Sequence, residues 1–117
     1  MANSIKDQEA ILAKLNIYEL NPMQLEAIEA IKENNNIILL SPTGTGKTLA
    51  FSLPLINSLD PVSKEIQALI LVPSRELAIQ IEQVIRSMGS GFKINAVYGG
   101  RPMAKDKIEL KHLPAIL

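Results

Sequence analysis

Ile37-Ile38-Leu39-Leu40 followed by Ser41-Pro42-Thr43-Gly44-Thr45-Gly46-Lys47-Thr48 is the stretch that decides the fold. Four apolar residues without polar alternation predict a buried strand, as in a sheet covered on both faces. The glycines let the next backbone wrap closely and turn several N–H groups inward. The Gly-Lys-Thr ending opens a helix, whose unpaired amides and dipole favour an anion. Strand, glycine loop and helix in this order form the Walker A arrangement, a cradle for phosphates. In such a loop Lys47 places a full positive charge near the β- and γ-phosphates, and the Thr48 hydroxyl can ligate Mg²⁺. Ser41 stands where the strict pattern has Gly, but Thr43-Gly44-Thr45-Gly46-Lys47-Thr48 is intact. A chance glycine turn before a helix is the competing reading, and the apolar strand directly upstream argues against it.

Working outward, helical and strand-like segments alternate, which predicts an α/β fold with a parallel sheet. Ile5–Leu15 reads as a short helix with Ile11, Leu12 and Leu15 on one side. Asn21-Pro22 opens a clearer helix, with Asn at the N-cap and Pro at the first turn. Its apolar stripe reads as Leu25, Ile28 and Ile31, and Asn34-Asn35-Asn36 ends it. The helix after the glycine loop spans about 47–59 and contains Pro54, which should kink it. Ala68–Val72 predicts a second buried strand. Ser74 reads as the N-cap of a helix through Met88, with Leu77, Ile81, Val84, Ile85 and Met88 facing the core and Gly89 at its end. Phe92–Tyr98 predicts a third strand, 102 to about 112 a further helix, and Pro114–Leu117 the start of a fourth strand.

The 117 residues suit one domain at most. Apolar residues make up 47% and aromatic residues only 3%, so the core must be aliphatic. There is no cysteine, which excludes disulfides and thiolate metal sites and fits a cytoplasmic protein. No basic-then-apolar leader and no membrane-length apolar run is present. Twelve Lys and Arg balance twelve Asp and Glu. Distribution says more: between residues 86 and 112, Arg86, Lys93, Arg101, Lys105, Lys107 and Lys111 face only Asp106 and Glu109. That basic third could meet phosphates, or be an ordinary solvated surface. His112, the single histidine, has no metal-ligand partners at useful spacing.

Three further segments, together with the glycine loop, resemble the DEAD-box helicases of superfamily 2. Pro22-Met23-Gln24 is similar to the end of the family's Q motif. Pro73-Ser74-Arg75-Glu76-Leu77-Ala78 is similar to motif Ia. Tyr98-Gly99-Gly100 is similar to the glycine doublet. Each string is short, but all four in order are specific, and the resemblance covers nearly the whole chain. It implies a RecA-like P-loop domain, with 1–117 as the front of the ATP-binding domain.

The resemblance further implies ATP and Mg²⁺ as ligands. Gln24 would read the adenine edge, and Ser41, Thr43, Gly44, Thr45, Gly46, Lys47 and Thr48 would hold the phosphates and metal. Pro73, Ser74, Arg75, Gly99 and Gly100 would lie against RNA backbone, without sequence preference. Each residue also has a local alternative. Gln24 sits three after Asn21 and could complete a capping box. Ser74 could be a plain N-cap, Arg75 could pair with a nearby Glu, and Gly99-Gly100 could be an ordinary turn. Leu20 and Asn21 stand where the family usually has Pro and Thr, and Asp7 where it has an adenine-stacking aromatic.

The chain holds no Asp-Glu-Ala-Asp and no Ser-Ala-Thr. It therefore reads as the front piece of a longer ATP-dependent RNA helicase, without catalytic residues and inactive alone. In the family's sheet two strands separate the strand feeding the phosphate loop from the strand feeding motif Ia. Their absence would leave open sheet edges, and dimerisation or strand swapping is expected. A DNA-acting relative such as a RecQ-like or Lhr-like helicase, and a non-catalytic nucleotide-binding fragment, are the alternatives.

Overall fold

The computed structural model describes residues 8–117. Its helices are α1 (Gln8–Lys14), α2 (Pro22–Glu33), α3 (Lys47–Ser58), α4 (Arg75–Ser87) and α5 (Met103–Glu109). The first residues of the helix expected at 5–15, and Asp7, lie outside the described residues.

Three extended segments run parallel. Ile116 bridges Ala68 on one side and Ile94 on the other, so 114–117 lies between 67–72 and 92–98. The last segment in the chain is thus the middle of the sheet. Ile70 N donates to Leu117 O at 2.8 Å and Leu117 N to Ala68 O at 3.0 Å. On the other flank Asn95 N donates to Ile116 O at 3.1 Å and Ala115 N to Lys93 O at 2.9 Å. The outer edge of 92–98 is closed by side chains rather than by a strand. Glu82 Oε2 accepts from Ala96 N at 2.6 Å, and Arg86 donates to Ile94 O at 3.1 Å. Glu82 and Arg86, paired at 3.2 Å one turn apart on α4, satisfy the groups that a neighbouring strand would take.

The aliphatic core expected from composition is present. It joins Ile11 and Leu12 of α1, Ile28 of α2, Leu53 and Ile56 of α3, and Ile81, Ile85 and Met88 around α4 with Ile94 and Ile116. α2 packs against α3. The helix ends follow their sequence signals. Ser74 Oγ accepts from Leu77 N at 3.2 Å, and Gly89 takes the left-handed φ of +59° after α4. α3 continues through Pro54.

Three readings need correction. Ile37–Leu40 is not a buried strand: Ile38 and Leu40 are 88% and 89% exposed, and no bridge joins the segment to the sheet among the described residues. Burial of that run requires strands beside it, and none of these residues supplies one. Ala68–Val72 is buried on one face only. Ala68, Ile70 and Val72 are half-buried, while Leu69 and Leu71 are exposed. Bonds to 114–117 occupy one edge of this segment; the peptide groups of Leu69 and Leu71 point to the other. On α2, the buried face is Gln24, Ala27 and Ile28, and Leu25 is exposed. Gln24 can enter the interior because its amide is hydrogen-bonded; Ile28 stays buried and Ile31 half-buried, so the buried face is displaced by roughly 50°, about half a residue.

Candidate functional site

The phosphate loop folds on its own side chains. Ser41 Oγ and Thr45 Oγ1 are 2.5 Å apart, and Thr45 Oγ1 donates to Pro42 O at 2.7 Å. Lys47 Nζ donates to Ser41 O at 2.8 Å, so its ammonium crosses the loop rather than pointing to solvent. Gly44 and Gly46 have φ of +83° and +90°, in the region that favours glycine. Gly46 is the N-cap of α3, so the free first-turn amides of that helix begin at the loop. Thr43 and Gly44 form the exposed tip; Thr48 is half-buried in the first helical turn.

The start of α2 holds this loop from behind. Asn21 Oδ1 accepts from Gln24 N at 2.8 Å, and Gln24 Oε1 accepts from Asn21 N at 2.9 Å, a reciprocal capping box. The other ends of both amides reach the loop. Asn21 Nδ2 donates to Thr45 O at 2.9 Å and Gln24 Nε2 to Gly46 O at 3.1 Å. The assignment of each amide is fixed by its partners, since a backbone N–H only donates and a carbonyl only accepts. A Cβ on Gly46 would collide with Gln24 Nε2, so the close approach requires glycine there. Gln24 therefore caps its own helix and also contacts the site. The carbonyls of Ser41, Pro42, Thr45 and Gly46 all accept from side chains. With two of them drawn toward α2, planar trans geometry turns the amides of Gly46 and Lys47 the other way.

A second surface gathers Pro73, Ser74, Arg75, Gly99 and Gly100. Arg75 Nη1 donates to Gly99 O at 3.4 Å and lies against Gly100, where a Cβ would come within 2.7 Å of it. Motif Ia and the glycine doublet thus touch, although 24 residues separate them. The local alternatives hold at the same time. Ser74 is an N-cap, Arg75 stands 3.9 Å from Glu76, and Gly100 turns with φ of +91°. Arg75 is exposed and that pair is long, so its charge is available to an anion.

Half of the basic third is already committed. Arg86 is paired with Glu82. Lys93 Nζ donates to the carbonyls of Glu109 and His112 at the end of α5. Arg101 lies 3.2 Å from Asp106 and 2.8 Å from Glu109. Its guanidinium bond holds the Glu109 carboxyl below its ordinary range, and Glu109 in turn raises Arg101. Only Lys105, Lys107 and Lys111 remain as exposed cations of that stretch without an ion pair or cap among these contacts. Sequence reading missed the clasp by Asn21 and the anchoring of Arg101. The second had a signal: Asp106 and Glu109 are three apart on one helix, hence on one face.

The family model for DEAD/DEAH box helicases matches residues 21–117. The chain belongs to that family. It is 43% identical over 98 residues to the probable ATP-dependent RNA helicase YfmL of Bacillus subtilis, covering 82% of this chain and 26% of that protein. It is 36% identical over 119 residues to the DEAD-box ATP-dependent RNA helicase CshC of Bacillus cereus, covering 97% and 31%. Its fold matches the RNA helicase Prp28 from Chaetomium thermophilum, solved bound to ADP, with a TM-score of 0.76 and 33% identity. That match covers 91% of this chain and 28% of the other. This DEAD-box chain spans about a quarter to a third of the length of the relatives it matches. The two Bacillus relatives are named as ATP-dependent RNA helicases, and the architecture of this chain is the RecA-like one of its structural neighbours. No helix among the described residues is long and apolar enough to cross a membrane.

Proposed function

We propose that this chain holds the phosphates of ATP and one stretch of RNA backbone, as the nucleotide-binding front of a cytoplasmic ATP-dependent RNA helicase. The observation that carries the reading is the loop at 41–48. Its carbonyls are occupied by side chains, its two glycines are left-handed, and its lysine lies across it. That leaves amides and an ammonium for an anion. Lys47 would exchange Ser41 O for phosphate oxygens on binding. The second N–H and second lone pair of Gln24 are the groups left to meet an adenine edge.

Magnesium fits this site with one protein ligand. No cluster of three or more His, Asp or Glu that could hold a metal occurs among the described residues, whereas Thr48 offers a hydroxyl where the loop meets α3. A cation shared with phosphates and waters needs no more from the protein. When bound, it would offset phosphate charge. The groups that cleave ATP lie outside these residues, since the chain contains no Asp-Glu pair. The chain alone therefore binds without turnover, and in the whole protein hydrolysis drives unwinding or remodelling of RNA. Pro73, Ser74, Arg75, Gly99 and Gly100 would touch phosphates and sugars, which position a strand without reading its sequence.

The open edges belong to the same reading. The free edge of 67–72 borders a groove of about 540 Å³, lined in part by Ile31, Phe51, Leu55, Leu69 and Leu71. Strands from the rest of the protein, or from a second copy when only this chain is present, would pair there.

Calorimetric titration of ATP and ADP, with and without Mg²⁺, tests the proposal. Lys47→Ala should weaken binding by about tenfold to a hundredfold, the scale of a hydrogen bond to a charged group. Equal affinities for the two forms would exclude the loop as the phosphate site.

A further inference from the structure

Arg101 follows the glycine doublet directly, and its sequence position suggests another cation for RNA. Its surroundings say otherwise. The side chain is only 14% exposed. Nε faces Asp106 Oδ1 at 3.2 Å, Nη2 faces Glu109 Oε1 at 2.8 Å, and Nη1 donates to Ala96 O at 3.3 Å. The guanidinium also lies over the Tyr98 ring, 5.5 Å from its centroid. Asp106 Oδ1 is sealed from solvent and meets Arg101 as an ion pair without hydrogen-bond alignment. One side chain thus ties the end of the 92–98 segment, the aromatic ring before the doublet, and two successive turns of α5.

The doublet sits inside this tie. Residues 96 and 101 are joined by the Arg101–Ala96 bond, and Gly99 and Gly100 form the tip of the loop they close. At that tip Arg75 meets Gly99 O, at a long 3.4 Å. Such a weak contact cannot by itself fix two flexible glycines. The two arginines therefore differ in kind. Arg75 is exposed with charge to offer, whereas Arg101 is half-buried with its charge matched by two carboxylates.

We propose that Arg101 is a positioning residue for RNA binding: it holds the Gly99-Gly100 turn against Arg75, so that both meet the same stretch of backbone. This rests on the reading of Ser74, Arg75 and the doublet as an RNA surface. The planar, forked guanidinium is needed, because an ammonium cannot face Asp106, Glu109 and Ala96 O together in this geometry. Arg101→Lys keeps the charge and loses the fork, and so separates positioning from direct attraction.

The test measures binding of a labelled single-stranded oligouridylate to the full-length protein with a non-hydrolysable ATP analogue. Arg75→Ala, Arg101→Lys and the double variant are compared with wild type. Arg101→Lys should weaken binding by about fivefold, and in the Arg75→Ala background should add little, since the two act as one unit. Unchanged affinity in Arg101→Lys, or additive losses in the double variant, would overturn the proposal. Hydrogen exchange of the peptide covering 96–101, without RNA, is the second measurement. It should quicken in Arg101→Lys, and unaltered exchange would equally overturn the proposal. If Arg75→Ala leaves RNA binding intact, the RNA reading of this surface fails by itself, and the exchange measurement still decides whether Arg101 holds the turn.

Discussion

Single residues at the phosphate loop carry more than one duty, and that determines what substitutions there should do. Gly46 needs both its φ of +90° and the absence of a side chain, because Gln24 Nε2 occupies the space a Cβ would take. Gly46→Ala should lower stability by about 1–3 kcal/mol, the cost of a left-handed non-glycine residue, read as a drop in thermal midpoint together with weaker nucleotide binding. Glu109 gives a pH prediction. Its folded-state pKa is lowered, chiefly by the Arg101 bond. Its contribution to stability is then complete above its ordinary value of 4.5 and is lost as pH falls through the depressed folded value. Acid unfolding of wild type should show a loss in that window that Glu109→Gln, already lacking the carboxylate, does not show. Lys47, Thr48 and the two loop glycines are proposed from type and spacing alone, because the chemistry of phosphate binding admits few alternatives; the left-handed Gly44 and Gly46 and the Lys47 bond to Ser41 O are compatible with that proposal. The contacts of Asn21 and Arg101 were not legible in the sequence, because their partners lie 24 and up to 8 residues away and only packing shows which atoms meet.

At the scale of elements, local signals were read well and pairing was not. Asn21, Ser74 and Gly89 mark helix ends through bonds made within a few residues, so sequence suffices to place them. Ser74→Ala should cost about 1 kcal/mol in chemical denaturation through loss of the cap. Ser74→Asn should restore stability, so that any remaining loss in RNA binding reports on the hydroxyl itself. Strand burial depends on neighbours that are distant in sequence. Ile37–Leu40 and Ala68–Val72 have the composition of buried strands, and each lacks part of the cover that would bury it. Of the two runs, only 68–72 joins the sheet, through the Ala68–Ile116 bridge, while 37–40 pairs with no strand among the described residues. By contrast 92–98 closes its own outer edge with Glu82 and Arg86, a device without a strand's sequence signature. The short segment 114–117 gave no hint that it would be the centre of the sheet.

For the whole molecule, the phosphate loop and the glycine-doublet surface are built by different parts of one α/β frame. α2 braces the first from behind, and α4 and α5 frame the second. The family membership is shown, and the chain spans about a quarter to a third of its relatives' length. The exposed apolar edge at Leu69 and Leu71 should drive self-association of the chain by itself. Leu69→Lys with Leu71→Lys should shift its sedimentation toward monomer; an already monomeric wild type would count against the strand-pairing reading. As a phosphate site, the loop at 41–48 has to bind phosphates without the rest of a nucleotide. Amide NMR during titration with inorganic pyrophosphate tests it most directly. Saturable shifts are expected at Gly44, Thr45, Gly46, Lys47 and Thr48, and should vanish in Lys47→Ala. Resonances of that loop unmoved by pyrophosphate, or moved equally in both forms, would contradict it.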